Sequence, residues 1–505
     1  MAARYRAGLV GLAALALLPV AATAQTALRI GLAEDPDVLD PSFGRTYVGR
    51  IVFAALCDKL FDVDDKLNLV PQLALSQETS ADGRAVTIRL RPGVRFHDGE
   101  PMDAEAVKFS LERHLTIPGS FRRPEISAVD KVEAVDATTV RLALKTPFAP
   151  LIAQLTDRSG MIVSPKAARE AGDKFGQKPV CAGPYRFVER VQQDRIVVER
   201  FADYWDKDRI RIDRITYLPI PDSTVRLANL KAGQLDLIER ALATDVKDIQ
   251  ADRRLQLASG IDLGYMGMTL NVGKGEAAKG PLGSDPRVRQ ALALAIDRDA
   301  INEVVFNGLA QPGNQWIKPD NPWYQKSQPV ARRDLARARQ LIAASGAKTP
   351  IPIDYMVPNN PETRQVAEVI QAMAAEAGFD MKIRVTEFAT SLNEAEAGRF
   401  QAYMLNWSGR TDPDGNLYVF HKSGGAQNYG GYNNPEVDRM LDEARTKTAM
   451  ADRMAIYEKV AGTLVPDGSV IYLYHRPVII AHTARLSGFK PHPDGLVRVV
   501  GLTLR

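Results

Sequence analysis

The chain has 505 residues, of which 45% are hydrophobic and 25% charged, with a net charge of +4. That balance is globular: too apolar for a disordered chain, and without the polybasic footprint of a nucleic-acid binder. At about 150 residues per domain, the length predicts more than one.

The first 24 residues read as an export signal. Arg4 and Arg6 form a positive n-region, Gly8 to Val20 is a short apolar run, and Ala22-Thr23-Ala24 is a small-residue cleavage site. The run is shorter than the roughly 20 residues a membrane span needs. The mature chain is therefore expected to start at Gln25 and to be periplasmic, with an uncleaved N-terminal anchor as the alternative. Removing Arg4 and Arg6 from the net +4 leaves +2. No Cys follows the cleavage site, so a lipid anchor is not expected.

Downstream, Leu28 to Leu32 alternates like an opening strand, and Arg50 to Leu60 carries Ile51, Ala54, Ala55 and Leu60 at helical spacing. Ala85 to Leu90 predicts a strand, followed by a Pro92-Gly93 turn, a second strand and a helix capped by Asp103. With Thr139 to Leu144, these runs predict a small β-rich subdomain. Gly233 suits a helix C′ position. Ser284-Asp-Pro286 is a cap with Pro at the first helical position, before a stripe of Val288, Leu292 and Ala295. Ile351, Ile353 and Tyr355, a helix from Gln365 to Ala377 closed by Gly378, then Met381, Ile383 and Val385 predict a βαβ unit with a parallel sheet. Val470 to Tyr474 is a late strand.

Chemistry-bearing motifs are sparse. The histidines His97, His114, His421, His475, His482 and His492 show no metal-ligand spacing. Asp412-Pro-Asp-Gly-Asn416 lacks the ligand pattern of a calcium loop. His-Glu-x-x-His, Gly-x-Ser-x-Gly and a phosphate loop are absent from the sequence. No catalytic residue, metal or cofactor is expected, and the chain is not expected to be an enzyme.

The segment Leu90-Arg-Pro-Gly-Val-Arg-Phe-His-Asp-Gly-Glu-Pro-Met-Asp-Ala-Glu-Ala-Val-Lys-Phe-Ser-Leu-Glu-Arg113 resembles the signature of the bacterial extracellular solute-binding proteins of family 5, the peptide/nickel type. Leu39-Asp-Pro41, Gly183-Pro-Tyr185, Lys231-Ala-Gly-Gln-Leu-Asp236, Ser284 to Arg298 and Asn433 to Asp438 resemble further family motifs in the expected order. The resemblance implies an α/β fold, a two-lobed periplasmic binding protein (type II, cluster C-like) with an extra β-rich subdomain on lobe one. It implies lobe one at 25–61, 181–267 and 478–505, the subdomain at 62–180, and lobe two at 268–477. A small-molecule or short-peptide ligand would lie between lobes that close by a hinge. The partner would be the permease of an ABC importer, with no nucleic acid, and the protein a monomer. A di- or oligopeptide carrier, a ligand-presenting sensory co-receptor and a secreted hydrolase are the alternatives.

Within the family, peptide binders place an Asp three residues after a Trp, where it pairs with the peptide's α-amino group. Here Trp407 is followed at that spacing by Arg410, in a loop one residue shorter before Asp412. A guanidinium cannot accept from an ammonium and suits a carboxylate fork. The resemblance therefore implies an anionic ligand group near Trp407, Ser408, Arg410 and Asp412, facing Phe43, Tyr47, Arg122 and Arg158 of lobe one. A core role for Trp407, a loop-bracing role for Arg410 and a surface role for the other arginines are the structural alternatives. Cys57 and Cys181 are the two cysteines. Cys181 stands where the family carries a small residue, which implies one disulfide in an oxidising compartment; two separate buried thiols are the alternative.

Overall fold

The computed structural model describes residues 25–505; the expected signal peptide, 1–24, lies outside them. Two α/β lobes and a smaller β layer are built on three sheets. The first sheet has seven strands, in the spatial order Leu255–Ile261, Pro477–Thr483, Leu237–Ile238, Ala27–Leu32, Arg214–Pro219, Arg195–Arg200 and Tyr185–Val191. Ala27–Leu32 is central and runs parallel to both neighbours. Leu28, Ile30 and Leu32 on it are wholly buried.

The second sheet has six strands, ordered Gln311–Pro312, Val470–His475, Tyr265–Leu270, Ala402–Trp407, Ile351–Pro358 and Phe379–Thr386. The expected βαβ unit is here: Ile351–Pro358 and Phe379–Thr386 pair in parallel on either side of the helix Pro361–Ala377. That helix starts four residues before the expected Gln365. Asn360 supplies its cap, accepting from the Thr363 N–H at 2.9 Å, and Pro361 takes a first-turn position that needs no N–H. Gly378, at φ 105°, ends it. Further upstream, Asp285 caps Pro286–Ala295, which buries Val288, Leu292 and Ala295 completely.

The third sheet is antiparallel: Ala74–Thr79, Ala85–Leu90, Thr139–Leu144 and Val129–Asp136. The helix Ala104–Thr116 shares its core through Val107 and Leu111, and Asp103 caps it as the sequence predicts. The second strand expected after Pro92-Gly93 is reduced to a bridge between Arg95 and Pro101. Phe96 N–H donates to Glu100 and Met102 N–H to Val94, both at 2.9 Å, so this segment pairs with itself rather than with the sheet.

The chain crosses between the large sheets twice, side by side. One crossing is Asp262–Gly264 and the other is Arg476, and the Asp262 N–H donates to the Arg476 carbonyl at 3.1 Å. Tyr265–Leu270 therefore lies wholly in the second sheet, a few residues ahead of the position implied by resemblance. Cys57 and Cys181 are bonded, with Cα atoms 4.9 Å apart, tying the end of helix Tyr47–Leu56 to the Gly183 turn. A Cβ on Gly183 would lie 2.4 Å from the Leu56 carbonyl carbon, so only glycine lets these segments meet.

Beside the disulfide, Asp58 is buried and accepts from Tyr204 Oη at 3.0 Å, Trp205 Nε1 at 2.7 Å and Gln72 Nε2 at 2.9 Å. Burial outweighs these bonds and pushes its pKa up to about 7. The folded state thus holds this proton more tightly than the unfolded chain. The stabilisation is complete below the unfolded value of about 4 and is lost as pH rises to about 7. Asp58→Asn is expected to flatten the pH dependence of unfolding free energy across that window. Denaturant titrations at pH 4 to 8 with parallel profiles for both proteins would contradict the assignment.

Candidate ligand-binding cleft

In open α/β sheets, ligands sit beyond the carboxyl ends of the strands. Here those ends converge from both lobes on one cavity. Ala33 and Glu34 follow the central strand of lobe one, Ser223 follows Arg214–Pro219, and Arg240 follows Leu237–Ile238. From lobe two come Asn360 and Glu362 after Ile351–Pro358, Asn406 to Ser408 at the end of Ala402–Trp407, and Arg476 after Val470–His475. The space between protein atoms is about 940 Å³, including the part open to solvent.

Its charged lining consists of four arginines, Arg45, Arg226, Arg240 and Arg476, against two glutamates, Glu34 and Glu362. Arg240 Nη1 lies 3.6 Å from Glu34 and its Nε 3.2 Å from Glu239, and its guanidinium stacks 4.9 Å from the Tyr47 ring. Arg476 faces Glu362 at 3.5 Å. Arg226 donates to the carbonyls of Ile220, Pro221 and Arg240 at 2.6–3.0 Å. Arg45 spans the lobes to Glu396 at 3.2 Å. Burial holds Glu34 above the usual carboxylate range, against the pull of Arg240. Asp262, at the crossing, is pushed by burial up to about 6 despite Arg476. The cavity also gathers shielded polar atoms that make no hydrogen bond among the described residues, Glu34 Oε1, Asn406 Oδ1, Ser223 Oγ and Arg226 Nε, while the Nε atoms of Arg45, Arg240 and Arg476 have only carboxylates at salt-bridge distance, Asp37 at 3.6 Å, Glu239 at 3.2 Å and Glu362 at 3.5 Å. Such groups are costly to bury unless something satisfies them.

Of the residues singled out in the sequence, Tyr47, Trp407 and Ser408 line this cavity. The Trp407 ring is 7% exposed, meets Phe420 edge-on at 4.7 Å and donates from Nε1 to Asn416 at 2.8 Å, so it is a core aromatic with one margin on the cleft. Arg410 points elsewhere. Its guanidinium lies 4.4 Å over Trp407 and pairs with Asp157 of the other lobe, and its Nη1 donates to Ser408 at 3.3 Å. The anion this buried arginine requires is supplied by the protein. Asp412 is held at 2.6 and 2.7 Å by Arg453. Arg122 and Arg158 are wholly buried, the first against Glu125 at 2.7 Å and the second against the Gly44 carbonyl at 2.6 Å. Phe43 turns toward helix Ala104–Thr116, 6.0 Å from the Arg113 guanidinium. The short loop explains the placement of Arg410. Asn416 accepts from the Arg410 N–H at 2.7 Å and donates back to its carbonyl at 3.0 Å, folding the segment away from the cleft.

Sequence reading missed Glu34, Arg226, Arg240, Glu362 and Arg476. One signal was available: each of Glu34, Arg240 and Arg476 lies one or two residues past a strand's carboxyl end.

Comparison with known proteins agrees with this architecture. The glutathione-binding protein GsiB of Pectobacterium atrosepticum is 30% identical over 472 residues, covering 91% of this chain and 90% of that protein. The structure of the PBP AgaA from A. tumefaciens R10, in complex with agropinic acid, superposes with a TM-score of 0.86 at 27% identity, covering 95% of this chain and 99% of that one. The periplasmic binding protein DppA of Helicobacter pylori, in complex with the peptide STSA, shares the fold with a TM-score of 0.86 at 24% identity, over 95% and 98% of the two chains. Among the described residues no helix is long and apolar enough to cross a membrane. Residues 68–428 match the family described as bacterial extracellular solute-binding proteins, family 5 Middle. With two lobes, a charged cavity at their junction and that match over most of its length, the chain belongs to family 5 of the bacterial extracellular solute-binding proteins.

Proposed function

We propose that the protein is exported to the periplasm, captures a small organic solute with at least one anionic group between its lobes, and delivers it to the permease of an ABC importer. No bond is made or broken: the ligand favours the closed state, and the permease reads that state. The observation that carries this reading is the convergence of Arg45, Arg226, Arg240 and Arg476 on one inter-lobe cavity in which, among the described residues, they face two glutamates, Glu34 and Glu362. The glutathione and agropinic acid named for the relatives are carboxylate-bearing solutes, which makes reduced glutathione the first probe.

Isothermal titration calorimetry is expected to show binding of glutathione or of another carboxylate-bearing solute in a panel of opine acids and short peptides. Arg476→Gln is expected to weaken it about ten- to a hundredfold, the worth of a charge-assisted hydrogen bond of roughly 1.5–3 kcal/mol. Binding of uncharged solutes alone, unaffected by Arg476→Gln, would overturn the anion reading.

A further inference from the structure

Arginines alone do not complete the cleft. Glu34 sits two residues past the central strand of lobe one, its side chain 12% exposed and its Oε1 shielded from solvent without a hydrogen-bond donor. Among the described residues it meets one cation within salt-bridge distance, Arg240, and shares it with Glu239, which lies nearer at 3.2 Å. Arg226, the next guanidinium on this side, is engaged by three backbone carbonyls. This end of the cavity therefore has two carboxylates against one arginine within pairing distance. Asn406 Oδ1, from the opposite lobe, is a second shielded acceptor without a donor. A purely anionic ligand would pair with the arginines but leave both acceptors unmatched, and its charge would repel Glu34. Buried carboxylates are stable when paired and costly when not.

We propose that Glu34 is a cation subsite of the cleft. The ligand is then a zwitterion, with a primary or secondary ammonium on Glu34 and a carboxylate toward the arginines. The inference rests on the reading of this cavity as the ligand site. It moves recognition of the amino group from the loop after Trp407, where Arg410 now stands, to the end of the first strand.

The test pairs zwitterions with counterparts lacking the ammonium: reduced glutathione with glutaryl-cysteinyl-glycine, and Gly-Gly and Ala-Gly-Gly with their N-acetyl forms. Affinities are measured by calorimetry on the wild type and on Glu34→Gln. A zwitterion of the panel is expected to bind the wild type, and its counterpart ten- to a hundredfold more weakly. Glu34→Gln should weaken the zwitterion by a similar factor and leave the counterpart within about threefold, which separates a direct pairing from a folding defect. Melting curves confirm that the variant is folded; should it not be, the wild-type comparison of each pair stands alone. Equal or tighter binding of the counterparts overturns the cation subsite and leaves the anion reading in place. Failure of every compound, charged either way, counts against both.

Discussion

Asp157→Ala is expected to open the lobes. Asp157 lies on the lobe-one side, in the segment closed by the Cys57–Cys181 bridge, and is the carboxylate for three arginines: Arg410 across the interface, Arg50 at 3.3 Å and Arg158 at 3.7 Å. Burial would raise its pKa, but Arg410, Arg50, Arg158 and Arg122 outweigh that and hold it well below the usual carboxylate range. Arg50 in turn donates to Ser408 of lobe two at 3.1 Å, and Gln154 donates to Asp414 at 2.9 Å, so a polar clamp joins the lobes beside the cleft. Removing one partner of a buried ion pair costs about 3–5 kcal/mol, because the other charge stays buried. A hinged protein can escape that cost: separating the lobes returns Arg410 to water. The variant should therefore shift toward the open form, with a larger radius of gyration in solution scattering and about a hundredfold or greater loss of affinity for the bound probe. The double variant Asp157→Ala, Arg410→Ala removes both charges across the interface and should be less open than the single one. Identical scattering from wild type and single variant would show that the pair does not hold the lobes together.

The second large effect concerns the disulfide. Cys57 and Cys181 are 124 residues apart, and the loop between them contains the whole β-rich layer. In the loop-entropy model a bridge over that span restricts the unfolded chain by about 5 kcal/mol, with about 2–5 kcal/mol the usual loss on removing a native one. Replacing both cysteines with Ala should lower the midpoint of denaturant unfolding and leave ligand affinity within about twofold, since neither residue lines the cleft. An unchanged midpoint would mean that the layer's own core, built on Ile88, Phe96, Leu111 and Leu142, anchors it unaided.

Local physics made much of the fold legible. Asp103, Asp285 and Gly378 begin or end their helices because capping is settled by a few consecutive residues. The alternation of Ile351, Ile353 and Tyr355 with the following helix sufficed for a parallel βαβ unit, since short-range periodicity dictates which face is buried. The family motifs supplied the two lobes and the Cys57–Cys181 bridge. The charged cleft lay beyond that reach. Trp407, Ser408 and Tyr47, singled out through the motif, border the cavity, while Arg410, equally prominent in sequence, turned to Asp157, 253 positions earlier in the chain. Glu34, Arg240, Glu362 and Arg476 look like ordinary surface charges in their own segments. Each comes to line the same cavity only when strands from distant parts of the chain are packed together. A guanidinium takes whichever carboxylate the fold brings nearest, and that choice is made by the packing of two lobes, not by neighbours in the sequence.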